Sequence, residues 1–132
     1  MSTGAASKTD KTIAMIFSSD DEGINKVVPF LKNRDIDSTV VKSHGQFIDQ
    51  MKLVSPDILI VEDDTTTNIG IRAIREALGI SWTISSILIS SLDKDEVHER
   101  TEGLGILGSL RSLNDIDQLG SLIDVFEKLR GA

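Results

Sequence analysis

Short apolar runs alternate with helical patterns along most of this chain. The runs occupy residues 12–17, 37–41, 58–61, 86–89 and 106–110. Between and after them, apolar residues recur every three or four positions, which is typical of helices with one buried face. Strands that alternate with helices indicate an α/β fold with a parallel sheet, and right-handed crossovers then place helices on both of its faces. The pattern therefore predicts a three-layer, doubly wound, five-stranded parallel sheet.

The third run is the best candidate for the central strand. Residues 58–61 are four consecutive aliphatics, preceded by Pro56-Asp57 and followed by acids. Such a run lacks the polar alternation of a half-exposed strand, so we expect burial on both faces.

Three details of the helices and connections lead to separate expectations. Pro29 lies inside the first helical pattern, where it removes a backbone hydrogen bond, so this helix should kink or break. Asp20 or Asp21 should cap its N-terminus. The segment 93–102 has Val97 as almost its only apolar residue and should form an exposed, loosely held helix. Trp82 precedes the fourth strand in a polar connection, where we expect it to pack locally.

Composition and length limit the class of protein. The chain has 132 residues, no cysteine and a net charge of -7. Residues 11–130 fit one domain, and the small polar residues 1–10 predict a disordered tail. The absence of cysteine excludes disulfides and favours a cytoplasmic location. No apolar run is long enough to span a membrane. The acidic charge, with no basic stripe, argues against direct nucleic-acid binding.

Acidic clusters follow several of the predicted strands. The clusters are residues 20–22, 62–64 and 93–96. Carboxylates at neighbouring strand ends suit Mg²⁺, which prefers oxygen ligands. The same acids equally suit solvated loops and helix N-termini, where the helix dipole favours them. Neither a phosphate-binding glycine loop nor a nucleophile elbow is present, so the sequence gives no support for an enzyme.

The order of elements resembles the receiver domain of response regulators, over about residues 11–129. Residues 56–62 are similar to the family's Pro-Asp, aliphatic and Asp segment, and Gly70 lies eight residues after Glu62, as the family's glycine follows its phosphorylated Asp. Residues 87–91 resemble the strand that ends in a switch Ser/Thr, and residues 111–113 resemble the Lys-Pro segment. The resemblance implies a flavodoxin-like, CheY-like (βα)5 fold.

The same resemblance implies a degenerate phosphorylation site. Glu62 stands where the family has its acceptor Asp, and Ser18 and Ser19 replace the acidic pair that binds Mg²⁺. Ser90 matches the switch hydroxyl, and Arg111 replaces the lysine. The family's strand aromatic falls near Gly108, and its loop Met-Pro is replaced by Thr65-Thr66.

Three hypotheses about this site stay open. Glu62 and Arg111 could pair bidentately and hold one conformation without phosphate, or the site could have decayed without such a pair. A shift of register restores conventional chemistry, with Asp63 as phospho-acceptor and Asp20, Asp21 and Asp63 as Mg²⁺ ligands. In the first alignment no cofactor is required.

The resemblance finally implies a role in signalling. We expect a non-catalytic, phosphorylation-independent module whose partners are a histidine kinase, an effector domain or another signalling protein. The contact face would combine the fourth helix, fifth strand and fifth helix, and homodimerisation through the last helix stays open. The alternatives are a phosphorylatable, Mg²⁺-dependent receiver and a flavodoxin-like protein that binds a small molecule or is an unrelated enzyme.

Overall fold

The computed structural model describes residues 11–64 and 66–131. The predicted tail at residues 1–10 lies outside this range. Five strands alternate with five helices: β1 (Thr12–Phe17), α1 (Asp21–Asn33), β2 (Ile36–Val41), α2 (His44–Val54), β3 (Ile58–Glu62), α3 (Ile69–Ile80), β4 (Ser85–Ile89), α4 (Lys94–Arg100), β5 (Gly108–Leu110) and α5 (Ile116–Gly131).

The strands form a single parallel sheet in the order β2-β1-β3-β4-β5. One face packs against α1 and α5, and the other packs against α2, α3 and α4. The predicted three-layer, doubly wound sheet is therefore confirmed. The order reverses between β1 and β3, and clefts that bind ligands form at such a point, beyond the carboxyl ends of the strands.

The central strand carries the core of both layers. Ile58 and Ile60 pack towards α1 and α5, whereas Leu59 and Val61 pack towards α2, α3 and α4. All four are at most 1% exposed, as the uninterrupted aliphatic run predicts. The last residue of β3 is Glu62, which is brought to the carboxyl edge of the sheet at the end of this rigid strand.

Of the kink or break predicted at Pro29, the break does not occur, since helix α1 continues through this residue to Asn33. Proline removes the bond that would reach the carbonyl of Asn25, four residues earlier. Asn25 and Pro29 are both exposed, so water can satisfy that carbonyl. The helix begins as predicted, because the Asp20 carboxylate caps it by accepting a bond from the Gly23 N–H at 3.1 Å.

Two other expectations need correction, and one is confirmed. Strand β5 is shorter than predicted, because Gly103 and Gly105 have positive φ and the chain is still turning just before it. Trp82 does not pack locally: its side chain is 83% exposed, since the turn after α3 directs it away from both cores. Val97 is the buried residue of α4, as expected of a helix with one apolar contact.

Candidate functional site

A polar cleft of about 520 Å³ opens at the carboxyl ends of the central strands. It lies where the sheet order reverses, which is the place that parallel α/β sheets offer to ligands. Its lining combines hydroxyls, carboxylates and one lysine with two apolar residues, namely Phe17, Ser18, Ser19, Lys42, Glu62, Asp63, Asp64, Ile69 and Ser91. The fold thus brings Glu62, Ser18, Ser19 and Asp63 to one cleft.

Ser18 and Glu62 form the central contact of this cleft. The Ser18 hydroxyl donates a hydrogen bond to Oε1 of Glu62 at 2.7 Å, and Ser18 Oγ accepts one from the Asp20 N–H at 3.0 Å. Ser18 is 5% exposed, so the contact is shielded on the serine side. Because β1 and β3 are adjacent, their ends are about 4.8 Å apart, within reach of these short side chains. The carboxylate at the acceptor position is therefore bound by the chain's own hydroxyl.

Asp63 holds the start of α3 against the sheet. Its N–H donates to the Ile89 carbonyl at 2.8 Å, and its Oδ1 accepts from the Gly70 N–H at 2.8 Å. A Cβ on Gly70 would lie 2.8 Å from the Asp63 Cα, so only glycine permits this approach. In the described part of the chain, Asp63 Oδ2 is buried without a hydrogen-bond partner. Oδ1 of Asp63 thus helps to hold the fold, whereas Oδ2 has lost water without gaining a hydrogen bond from a described residue.

The alternative metal ligands have other partners. Asp20 caps α1, and Asp21 forms an ion pair with the Lys42 ammonium. Within residues 11–64 and 66–131, no group of three or more His, Cys, Asp or Glu side chains could hold a metal ion. Asp20, Asp21 and Asp63 thus do not converge as one group of ligands in this part of the chain, and each has another partner.

Lys42 is a cleft residue that the sequence reasoning missed. It directly follows β2, so its backbone lies at the same carboxyl edge as Ser18 and Glu62. A charged residue immediately after a predicted strand was the signal that could have identified it. Its ammonium supplies a positive charge to a cleft rich in carboxylates.

The structure does not pair Glu62 with Arg111, which corrects the first hypothesis about the site. Arg111 donates from Nη1 to the Ser91 carbonyl at 3.2 Å, while Glu62 bonds Ser18. Strand β4 lies between β3 and β5, so the backbones of the two residues are about 10 Å apart, and each side chain bonds another group instead.

Ser90 and Arg111 belong to a different cleft of about 210 Å³ beside β5. Ser90 is 4% exposed, and its Oγ accepts a bond from the Leu92 N–H at 3.2 Å. Its hydroxyl therefore caps the turn after β4. The five positions of the degenerate site are thus divided between two clefts, with Ser18, Ser19 and Glu62 in the central one.

Two charged networks outside the clefts shift pKa values. The Arg34 guanidinium contacts Asp124 and Glu127 of α5, and these carboxylates raise the pKa of Arg34. At the edge of the sheet, the Lys11 ammonium lies 2.7 Å from Oδ1 of Asp35 and lowers the pKa of that carboxyl. Both networks join elements of the fold and have no contact with the central cleft.

Comparison with solved structures identifies the architecture. A two-component response regulator from Clostridium difficile superposes with a TM-score of 0.79 at 13% identity, over 92% of this chain and 99% of that chain. A CheY-like receiver domain protein from Methanospirillum hungatei JF-1 gives a TM-score of 0.75 at 10% identity, over 91% and 97% of the two chains.

This chain has the receiver fold of response regulators. A receiver protein from Burkholderia phymatum agrees, with a TM-score of 0.67 at 20% identity over 87% of this chain and 94% of that one. No protein-family model matches the sequence, and no curated protein matches it. The receiver fold is thus formed by a sequence that is only 10–20% identical to these structures. In addition, none of the helices described here is long and apolar enough to cross a membrane.

Proposed function

We propose that this chain is a receiver-like signalling module that works without phosphoryl transfer and acts through protein contacts. The observation that carries the proposal is the 2.7 Å hydrogen bond from Ser18 to Glu62. A receiver needs a free carboxylate and a metal beside it, whereas here a hydroxyl in place of an acidic ligand binds the carboxylate itself. The Glu62 carboxylate is then bound by the chain itself rather than by an added ion.

The chemistry of the side chains supports this reading. Serine hydroxyls at positions 18 and 19 are neutral, so the site has lost the two anionic ligands that neutralise Mg²⁺ best. Asp21, one of the acids that could replace them, is already paired with the ammonium of Lys42.

The surroundings of β5 support a fixed rather than a switching output. Gly108 stands near the position of the family's coupling aromatic, and a Cβ there would lie 2.7 Å from Cδ2 of Leu122. Leu122 thus fills the space through which a larger side chain at position 108 would pass. Because Gly108 has no aromatic side chain, a movement of the Ser90 hydroxyl cannot be passed on to an aromatic ring on β5.

The contact face of the proposal combines α4, β5 and α5. Clefts of about 210 and 240 Å³ flank β5 on this side. Helix α4 between them is polar apart from Val97, so contacts here would be hydrophilic and reversible. Partners of matching chemistry are a histidine kinase, an effector domain or another signalling protein in the cytoplasm, and a second copy could pair through α5.

One observation favours a second candidate, a phosphorylatable receiver that uses Asp63. Its Oδ2 lacks a hydrogen-bond partner among the described residues, so one oxygen at the cleft is not committed to the fold. Against this, Oδ1 holds the Gly70 N–H, and the proposed ligands Asp20 and Asp21 have other partners.

Incubation with acetyl phosphate and Mg²⁺, read by intact mass, separates the two candidates. We expect no mass gain in the wild type or in Asp63→Ala. A Ser18→Asp/Ser19→Asp/Glu62→Asp variant, which restores the family's acids, serves as the positive comparison and should gain one phosphoryl group. A phosphate-sized gain in the wild type that disappears in Asp63→Ala would overturn the proposal and establish Asp63 as acceptor.

A further inference from the structure

The outward side of α3 and the turn after it present an unusual set of residues, which we call the α3 face. It consists of Arg72, Arg75, Gly79, Ile80 and Trp82, all of them exposed. Trp82 is 83% exposed and Ile80 is 39% exposed. Tryptophan is seldom so exposed, and together with arginine it is the residue type most enriched at the energetic centres of protein interfaces.

The charge of the α3 face is opposite to that of the whole chain. The chain has a net charge of -7. Neither Arg72 nor Arg75 forms an ion pair with any residue that the structure describes. The one acid of this helix, Glu76, is bound to His44 of α2 at 2.9 Å and does not neutralise them. Two guanidinium groups are thus available, and each can hold a carboxylate bidentately.

Gly79 adds an independent observation. Glycine in a helix is less favourable than alanine, and this one has no packing reason, because a Cβ would meet nothing within 4 Å. It also has no positive φ that would demand glycine. What glycine does provide is a stretch of helix surface without a side chain, between Arg75 and Trp82 in the sequence, where another backbone can approach closely.

We propose that the α3 face is a docking surface for an acidic segment of a partner protein that carries at least one large apolar side chain. Carboxylates of that segment bind Arg72 and Arg75, its apolar side chain packs on Trp82 and Ile80, and its backbone crosses Gly79. This surface is separate from the α4–β5–α5 side and does not depend on the chemistry of the cleft, so it goes beyond the function proposed above.

Other occupants fit the charges less well. Nucleic acid and anionic membranes attract extended basic surfaces, and two arginines on a chain of net charge -7 do not provide one. A protein segment of a few residues can instead place its carboxylates at the two arginines alone, without bringing a large negative charge near the rest of the acidic surface.

The test uses a displayed library of short random peptides, selected on the intact wild-type chain. We expect the selected peptides to be enriched in Asp and Glu around an aromatic or aliphatic residue. Trp82 is the single tryptophan of the chain, so its fluorescence reports directly on this surface. Binding of a selected synthetic peptide should shift the Trp82 emission to shorter wavelength.

Charge reversal provides the matched control. The variant Arg72→Glu/Arg75→Glu should weaken peptide binding by at least about tenfold, because buried charge pairs contribute that much or more to an interface. Lys26→Glu/Lys128→Glu changes the net charge equally on exposed residues of α1 and α5 and should leave the affinity within about twofold. Equal losses in the two double variants would overturn the proposal, as would selected peptides without acidic enrichment.

Gly79→Ala separates docking from stability. The added methyl should weaken peptide binding about tenfold while the protein stays as stable as the wild type or becomes more stable, whereas Gly45→Ala, also open in space, should leave binding unchanged. Unchanged affinity in Gly79→Ala would contradict the proposed backbone approach. Self-association of the wild type that Arg72→Glu/Arg75→Glu abolishes would overturn the proposed partner segment in favour of a second copy of the chain. A shift of the Trp82 emission with phosphatidylserine vesicles would overturn it in favour of a membrane. None of these outcomes depends on phosphorylation.

Discussion

Ser18→Ala is the substitution that most directly perturbs the contact on which this account rests. The mutation removes the hydroxyl that donates to Glu62 at 2.7 Å and accepts from the Asp20 N–H at 3.0 Å. A hydrogen bond to a charged group contributes about 1.5–3 kcal/mol, and a neutral one about 1 kcal/mol. Glu62 is only half-buried, so water recovers part of the loss. We expect the free energy of unfolding to fall by about 1.5–3 kcal/mol.

Urea unfolding followed by far-ultraviolet circular dichroism measures this change, since the exposed Trp82 is a poor reporter of core unfolding. Ser19→Ala is the matched control, because Ser19 lines the same cleft but is exposed and should change stability by less than about 0.5 kcal/mol. If Ser18→Ala were no more destabilising than Ser19→Ala, the Ser18–Glu62 bond would not stabilise the cleft. The reasoning that the site is satisfied internally would then be refuted.

Further substitutions test other contacts. Arg34→Met keeps an apolar stem but loses the bonds to α5, and calorimetry should show a loss of about 1–2 kcal/mol, whereas no loss would leave the network without a role in stability. Gly70→Ala forces a methyl to 2.8 Å from the Asp63 Cα and should lower the urea midpoint by an amount equivalent to about 1–3 kcal/mol, which an unchanged midpoint would contradict. Ser86→Ala removes a buried hydroxyl without a described partner and should leave the protein equally stable or more stable, so marked destabilisation would reveal an unseen partner. The pKa of Asp35 is lowered in the folded state, so the stabilisation that its ion pair provides is present above the unfolded pKa of about 4 and is lost as pH falls through the folded pKa. Asn tolerates the positive φ of 63° at this position, so Asp35→Asn should flatten the acid side of the stability–pH curve. An unaltered curve would contradict the ion pair.

The sheet could be predicted because its strands are specified by local sequence. An unbroken aliphatic run such as residues 58–61 is typical of a strand buried on both faces, and right-handed crossovers then place helices on both faces of the sheet. The continuation of α1 through Pro29 was harder to foresee. Whether a proline breaks a helix depends on whether water reaches the carbonyl it leaves free, and this is a tertiary property.

Some residues of the cleft could be predicted, but their partners could not. Position at a strand end placed Ser18 and Glu62 at one edge, whereas the sequence pattern does not say whether Ser18 or Arg111 bonds Glu62. From the sequence, Ser18 was interpreted as a serine in place of a metal ligand. The hydrogen bond that its hydroxyl donates to Glu62 could be identified only in the structure. Trp82 was misjudged because periodicity says nothing about the direction of a side chain in a turn.

Backbone amide spectra of the wild type, recorded by NMR with and without acetyl phosphate and Mg²⁺, test the central claim most directly. The account predicts unchanged resonances for Ser18, Glu62 and Ser90 and for α4, β5 and α5, because the Glu62 carboxylate is already bound by Ser18. Saturable shifts that begin at the cleft and extend to β5 and α5 would show a phosphate-driven switch and would contradict it.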